Sequence, residues 1–177
     1  MFKIFVNIAA YKDPDLLNTI NDAFYRAKYP NRIFIGVSEQ GDSPSKFVQY
    51  TKNIRYKFTH YKTGKGTGFH RNEIYSELYE GEDFCLTVDS HCRFKQNWDE
   101  IYVNALLERG ENTILTGFPP NFDFDECYDY YTTERPHNTY NVISRLGNYF
   151  NISGKGIGVQ DDFKETAVVS GSNTFSS

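Results

Sequence analysis

Phe84-Cys85-Leu86-Thr87-Val88-Asp89-Ser90-His91 is a short apolar run that ends abruptly in an acid, a hydroxyl and an imidazole. Such a run predicts a buried strand, and the polar residues that follow fall at its carboxyl end. Asp89 and His91 are two residues apart, so both side chains leave the same face if the strand persists through them. A hard carboxylate beside an imidazole suits a borderline divalent ion such as Mn²⁺ (or Mg²⁺), with ligand oxygens completing its shell. The competing reading makes Asp89 a turn cap and His91 an exposed loop residue. Spacing alone weighs the two equally.

Working outward, the same grammar repeats. Residues 3–10 (KIFVNIAA) and 32–37 (RIFIGV) read as two further buried strands, and a third is expected near Ile54 to Phe58. Between the first two, Asp13 and Pro14 predict a helix start, with Leu16, Leu17, Ile20, Ala23, Phe24 and Ala27 on its apolar face and Pro30-Asn31 as its stop. A polar loop is expected from Glu39 to Ser45, followed by a short helical stretch. The glycine-rich segment Gly64-Lys65-Gly66-Thr67-Gly68 feeds a helix from about Phe69 to Tyr79, closed by Gly81. Beyond His91, a helix carrying Trp98, Ile101, Ala105 and Leu106 leads to a strand over 113–116. Strands alternating with helices predict an α/β fold with a mostly parallel sheet. Ligand sites in such sheets lie outside the carboxyl ends of the strands. Ala9 to Asp13, Glu39 to Asp42 and Asp89 to His91 all fall there, which locates a pocket. After Pro119-Pro120, residues 121–165 show no firm helix and read as a functional loop region, and a last short strand is expected over 167–169.

A chain of 177 residues fits one domain, and 39% hydrophobic with 24% charged residues marks an ordinary globular protein. The formal charge of −4 argues against nucleic acid as a partner, so a phosphate-bearing ligand needs a metal or a few placed basic groups. Three cysteines without a C-x-x-C pair, and an apolar start too short for a signal peptide or membrane span, lead us to expect a cytoplasmic protein. No G-x-S-x-G elbow, H-E-x-x-H helix, Walker loop or dinucleotide fingerprint is present.

The glycine loop either cradles a phosphate through its amides or is a plain flexible turn, and the second is the better default. Arg71, in the first turns of the following helix, can reach a diphosphate bidentately; the bland alternative is a surface salt bridge. His60, His70 and His137 show no ligand spacing and read as surface residues. Tyr128, Tyr130 and Tyr131, beside Asp125 and Glu126, either line a sugar or acceptor cleft or serve loop packing.

Several of these stretches recur together elsewhere. Ile4 to Pro14, Arg32 to Val37, Leu78 to Asp83, and above all Val88-Asp89-Ser90-His91-Cys92-Arg93-Phe94 with Trp98-Asp99-Glu100, resemble the GlcNAc-transferase family. Its best-known members attach N-acetylglucosamine to hydroxyproline on a cytoplasmic ubiquitin-ligase adaptor. The Asp-Ser-His triplet is also similar to that of the polypeptide N-acetylgalactosaminyltransferases. Both resemblances imply a GT-A (Rossmann-like) fold, a UDP-sugar donor, Mn²⁺ and retention of anomeric configuration. By position they imply Asp89 and His91 as metal ligands, Ala9, Tyr11 and Asp13 facing the nucleoside, Arg71 turned toward the donor, and Phe118-Pro119-Pro120 as the turn ahead of the acceptor side. Gln40, Gly68 and Ser90 complete the expected donor-binding set.

The likeness covers roughly residues 3–120, with the last strand matching loosely. The family continues past this point with further acidic and acceptor-binding segments, including a third metal ligand, so a C-terminally truncated domain is expected. Its donor-binding part is 1–120 and its variable part 121–177, within a single domain over 1–177. The expected activity is metal-dependent transfer of N-acetylglucosamine from a UDP-sugar to a hydroxyl of a protein or glycan acceptor. Asp89 and Arg71 are its expected catalytic residues. A non-catalytic nucleotide-sugar-binding module and a metal-dependent nucleotidyltransferase are the rivals.

Overall fold

In the computed structural model, residues 2–47, 51–109, 114–116, 139–146, 149–156 and 173–176 are described. The chain divides into two units, Met1–Gly117 with Gly171–Ser177, and Phe118–Ser170.

The first unit is built around strand β1 (Ile4–Tyr11), which is hydrogen-bonded in parallel on both sides, to β2 (Ile33–Gly41) and to β4 (Phe84–Asp89). Strand β3 (Ile54–His60) extends the parallel sheet beyond β2. On the far edge β8 (Asn173–Ser176) runs antiparallel between β4 and β5 (Ile114–Thr116), giving the order β3-β2-β1-β4-β8-β5. Among the described residues, three α-helices accompany the sheet: α1 (Leu16–Arg26), α2 (Thr67–Glu77) and α3 (Trp98–Arg109). The α/β class and the mostly parallel sheet agree with the sequence reading.

The two faces of the sheet differ in chemistry. Ile4, Val6, Ile8 and Ala10 of β1, Ile33, Ile35 and Val37 of β2, and Phe84, Leu86 and Val88 of β4 form one buried cluster with α1 and α3. Ile20, Ala23 and Phe24 of α1 and Trp98, Val103 and Leu106 of α3 complete it, and the Trp98 indole donates to the Ala23 carbonyl at 2.8 Å. The opposite face meets α2 and is largely polar. There Asn7 donates to the Arg71 carbonyl, Ser38 meets His70, and Thr87 bonds the Tyr75 hydroxyl. Phe5, Ile74 and the rings of Tyr75 and Tyr79 supply its apolar part.

Several local expectations change. Leu17 and Ile101 are exposed, because the apolar stripes of α1 and α3 are narrower than the periodicity suggested. Asp15, not Asp13, stands at the start of α1 and makes no side-chain cap, while Asp13 accepts the Asp15 N–H at 2.9 Å. Strand β2 continues through Glu39 and Gln40, which were expected in a loop and are buried instead. Glu39 is satisfied there by the Tyr56 hydroxyl and by both the backbone and hydroxyl of Ser45. Helix α2 takes in Thr67 and Gly68 and ends at Glu77, so Gly81 is not its closing residue. Among the described residues, the helical stretch expected after Ser45 shows as one 3₁₀ turn, Thr51–Asn53. The strand expected over 167–169 lies outside the described residues.

In the second unit, β6 (Thr139–Leu146) and β7 (Tyr149–Gly156) form an antiparallel ladder inside the region read as loop. Among the described residues, no helix is long and apolar enough to cross a membrane.

Close approach of α2 to the sheet depends on Gly36. A Cβ there meets Phe5 Cζ at 2.4 Å and Ile74 Cγ2 at 2.7 Å, whereas one at Gly68 meets nothing within 4 Å. We expect Gly36→Ala to lose about 1–3 kcal/mol of stability, and Gly68→Ala to be neutral or slightly stabilising. Denaturant midpoints of the two variants check this, and equal midpoints sink it.

Candidate functional site

The register of β1 sets the site. Ala9 lies opposite Ser38 of β2 on one side and Asp89 of β4 on the other. Asp89 is the last residue of its strand, about one third exposed, and its Oδ1 accepts from Arg71 Nη2 at 2.7 Å. Helix α2 presents that guanidinium because the Arg71 carbonyl is itself held by Asn7 Nδ2 at 2.9 Å. Arg71 thus reaches the end of β4 and forms an ion pair with Asp89 there.

The strand stops at Asp89, so the two-residue alternation does not carry on to His91. Asp89 faces Arg71, whereas His91 Nδ1 lies 2.7 Å from Asp13 Oδ2. Ser90 is buried, and its hydroxyl donates to the same Asp13 oxygen. Burial alone raises the Asp13 pKa, but hydrogen bonds from Ser90, His91 and the Asp15 amide outweigh it and hold the carboxyl below its ordinary value. An ionised carboxylate only accepts, so His91 donates through Nδ1.

The turn after β4 is fastened to α1 by polar residues that the sequence reading overlooked. The Thr19 hydroxyl donates to the Ser90 carbonyl at 2.8 Å and accepts the Cys92 N–H at 2.9 Å. Arg93 bonds both oxygens of Asp15 at 2.6 and 2.8 Å, in a nearly fully buried pair. Asp22 accepts the Phe94 N–H. Asp15, Thr19 and Asp22 follow one another at helical spacing, a polar row that was visible beside the apolar stripe.

The glycine loop is anchored from below. His70, expected at the surface, is buried: its Nδ1 lies 2.9 Å from Ser38 Oγ and 3.2 Å from Glu73 Oε2, and its Nε2 accepts the Lys65 N–H at 3.4 Å. Its burial follows from Ser38 on β2, which helical spacing does not reveal, together with Glu73 one turn further along α2. Gln40 lies beneath Gly64, where a Cβ would meet Gln40 Oε1 at 2.1 Å and displace that side chain. At the rim, Tyr11 is exposed and Lys12 takes a left-handed φ of 48°. The Lys12 ammonium lies 3.4 Å from the Tyr61 ring centroid and 3.0 Å from Asp42. His60 is exposed, as expected. His137, Phe118 to Pro120, and the acidic and tyrosine cluster from Asp125 to Tyr131 lie outside the described residues.

Asp89 and His91 offer one carboxylate and one imidazole whose Nε2 is left over once Nδ1 is committed to Asp13, a donor chemistry that fits Mn²⁺ or Mg²⁺. Among the described residues, no group of three His, Cys, Asp or Glu side chains could hold a metal ion.

The family described as Glycosyltransferase (GlcNAc) matches residues 3–49 and 43–142, well over half of the chain. The chain belongs to the GlcNAc glycosyltransferase family. Its fold is of the GT-A type, as three solved structures illustrate. TarS 1–349 from S. aureus, in complex with UDP-GlcNAc, aligns with a TM-score of 0.54 and 18% identity, over 69% of this chain and 36% of that one. A second structure of TarS 1–349 aligns at 0.51 and 18%, over 77% and 42%. The mannosyltransferase PcManGT from Pyrobaculum calidifontis, in complex with GDP-Man and Mn²⁺, aligns at 0.51 and 10%, over 67% and 36%. At these identities the likeness is one of fold. This family member spans only 36 to 42% of the length of those three chains. No curated protein sequence matches it.

Glu73 couples the loop anchor to acidity. Burial alone raises its pKa, but Lys57, Ser38 and His70 outweigh that and hold it below the ordinary value. A lowered folded pKa means that the contribution to stability is present above the unfolded value of about 4.3 and is lost as pH falls through the folded value. Below about pH 4 the melting temperature of the parent should therefore fall more steeply than that of Glu73→Gln. Parallel melting curves across that range would refute the coupling.

Proposed function

We propose that this member of the family binds UDP-N-acetylglucosamine at the carboxyl ends of β1, β2 and β4. It forms the donor half of an enzyme that transfers the sugar to a hydroxyl, that of hydroxyproline in a protein, with retention of configuration. Family membership supports the reaction class, and the fold shared with a UDP-GlcNAc complex supports the donor. The observation that carries the reading is the guanidinium of Arg71 at 2.7 Å from Asp89, on the carboxyl rim of the sheet where α/β proteins bind ligands.

Asp89 and His91 would hold a divalent cation, which when bound supplies positive charge to the diphosphate. Arg71 moves from Asp89 to the phosphate oxygens and stabilises the charge that gathers on the departing UDP as the anomeric bond breaks. The amides at the start of α2, around Gly68, favour the same anionic group. Ala9 and the exposed ring of Tyr11 take the nucleoside, while Gln40 shapes the glycine loop from beneath. A cytoplasmic location belongs to the proposal and accords with free thiols at Cys85 and Cys92, which burial pushes up to about 11 and about 12.

Calorimetry with UDP-GlcNAc should give binding that requires Mn²⁺. Asp89→Ala should lose more than about 10-fold in affinity together with the metal requirement, since even outer-shell changes cost that much. Arg71→Ala should slow UDP release by about 10²-fold or more. Metal-independent binding by the parent, or an unchanged affinity in Asp89→Ala, refutes the reading, and release of pyrophosphate in place of UDP points to nucleotidyl transfer.

A further inference from the structure

We propose that Asp13 is the positioning residue for His91, holding its imidazole so that Nε2 is the nitrogen offered to the cation. This rests on the metal-dependent donor binding proposed above and reassigns Asp13, which the family resemblance had turned toward the nucleoside.

Three hydrogen bonds converge on this carboxylate. The Asp15 N–H reaches Oδ1 at 2.9 Å, while the Ser90 hydroxyl and His91 Nδ1 meet Oδ2. The side chain is only 13% exposed. A carboxylate has about four acceptor positions, so most of its capacity is committed within the protein and little remains for a ribose or base. A neutral imidazole that donates from Nδ1 carries its lone pair on Nε2. His91 itself is 61% exposed and lies past the end of β4, where the sheet no longer dictates its direction.

The division of labour is visible along the β1–α1 connection and α1. Thr19, Asp22 and the Asp15–Arg93 pair hold the backbone of residues 90–94, whereas Asp13 reaches the ring. Carboxylate–histidine–metal arrangements of this kind fix tautomer and orientation together.

Imidazole ¹⁵N spectra of the full chain, without nucleotide or metal at about pH 8.5 where histidines are neutral, read the tautomer directly. The parent should carry the His91 proton on Nδ1. Asp13→Asn, whose amide oxygen still accepts, should keep that form, and Asp13→Ala should shift toward the Nε2–H form. Asp15→Asn perturbs the Arg93 pair instead and should leave the tautomer unchanged. Mn²⁺ affinity measured by paramagnetic resonance with UDP present should fall about 10–100-fold in Asp13→Ala and less in Asp13→Asn. Asp13→Leu, similar in size and without an acceptor, repeats the test if the alanine variant does not fold. An unchanged tautomer or an unchanged Mn²⁺ affinity in these variants overturns the proposal. A parent that binds no Mn²⁺ yet loses the Nδ1–H form in Asp13→Ala overturns the metal-dependent donor binding, not the placement of the ring.

Discussion

Alternation along β1 governs this molecule. As the strand is hydrogen-bonded on both edges, its even-numbered residues Ile4, Val6, Ile8 and Ala10 enter the core with α1 and α3, while Phe5 and Asn7 turn to α2. A slip of one residue would exchange the two sets and bury Asn7 among aliphatic side chains, away from the Arg71 carbonyl. Burial of the core and delivery of polar groups to α2 are therefore one event. The same register brings Asp89 beside Ala9, so the site inherits its geometry from the packing on the other face.

Two attachments then convert a sheet edge into a site. Helix α2 brings Arg71 to Asp89 across a polar interface of Asn7, Ser38, His70 and Glu73. Helix α1 secures the turn after β4 through side chains that serve no apolar purpose. The Asp15–Arg93 pair illustrates the cost of such a design: removing either partner leaves a buried charge, a loss of about 3–5 kcal/mol. Satisfied on both sides, the pair restricts the turn to one conformation, and backbone bonds from Thr19 and Asp22 reinforce it.

Strands β1 to β5 were legible because each is an apolar run bounded by turn residues, whereas β8 and its place between β4 and β5 were not. Where those runs end is what points to the carboxyl rim of the sheet as the candidate site. What escaped reading was polar burial. Glu39 and Gln40 look like loop residues until Tyr56, Ser45 and the glycine loop close around them, and no local pattern announces partners so distant in sequence. His70 was misjudged for the same reason. The ladder of β6 and β7 did leave a signal: Gly147-Asn148 between two runs containing valine, isoleucine, tyrosine and phenylalanine is a hairpin dipeptide. A straight strand through the Asp-Ser-His triplet does not form, since β4 stops at Asp89 and Ser90 and His91 turn toward Asp13.

The strand order carries one more consequence, for synthesis. Among the described residues, strand β5 joins the sheet only through β8, which is made last of the described strands and slots between β4 and β5. As the polypeptide emerges, the edge of β4 stays open until residues 173–176 arrive, and among the described strands β5 has no other ladder to join. Such distant pairing is slow to form. During translation the nascent chain must therefore carry an unclosed sheet margin, the period in which chaperones or unwanted strand partners have their chance.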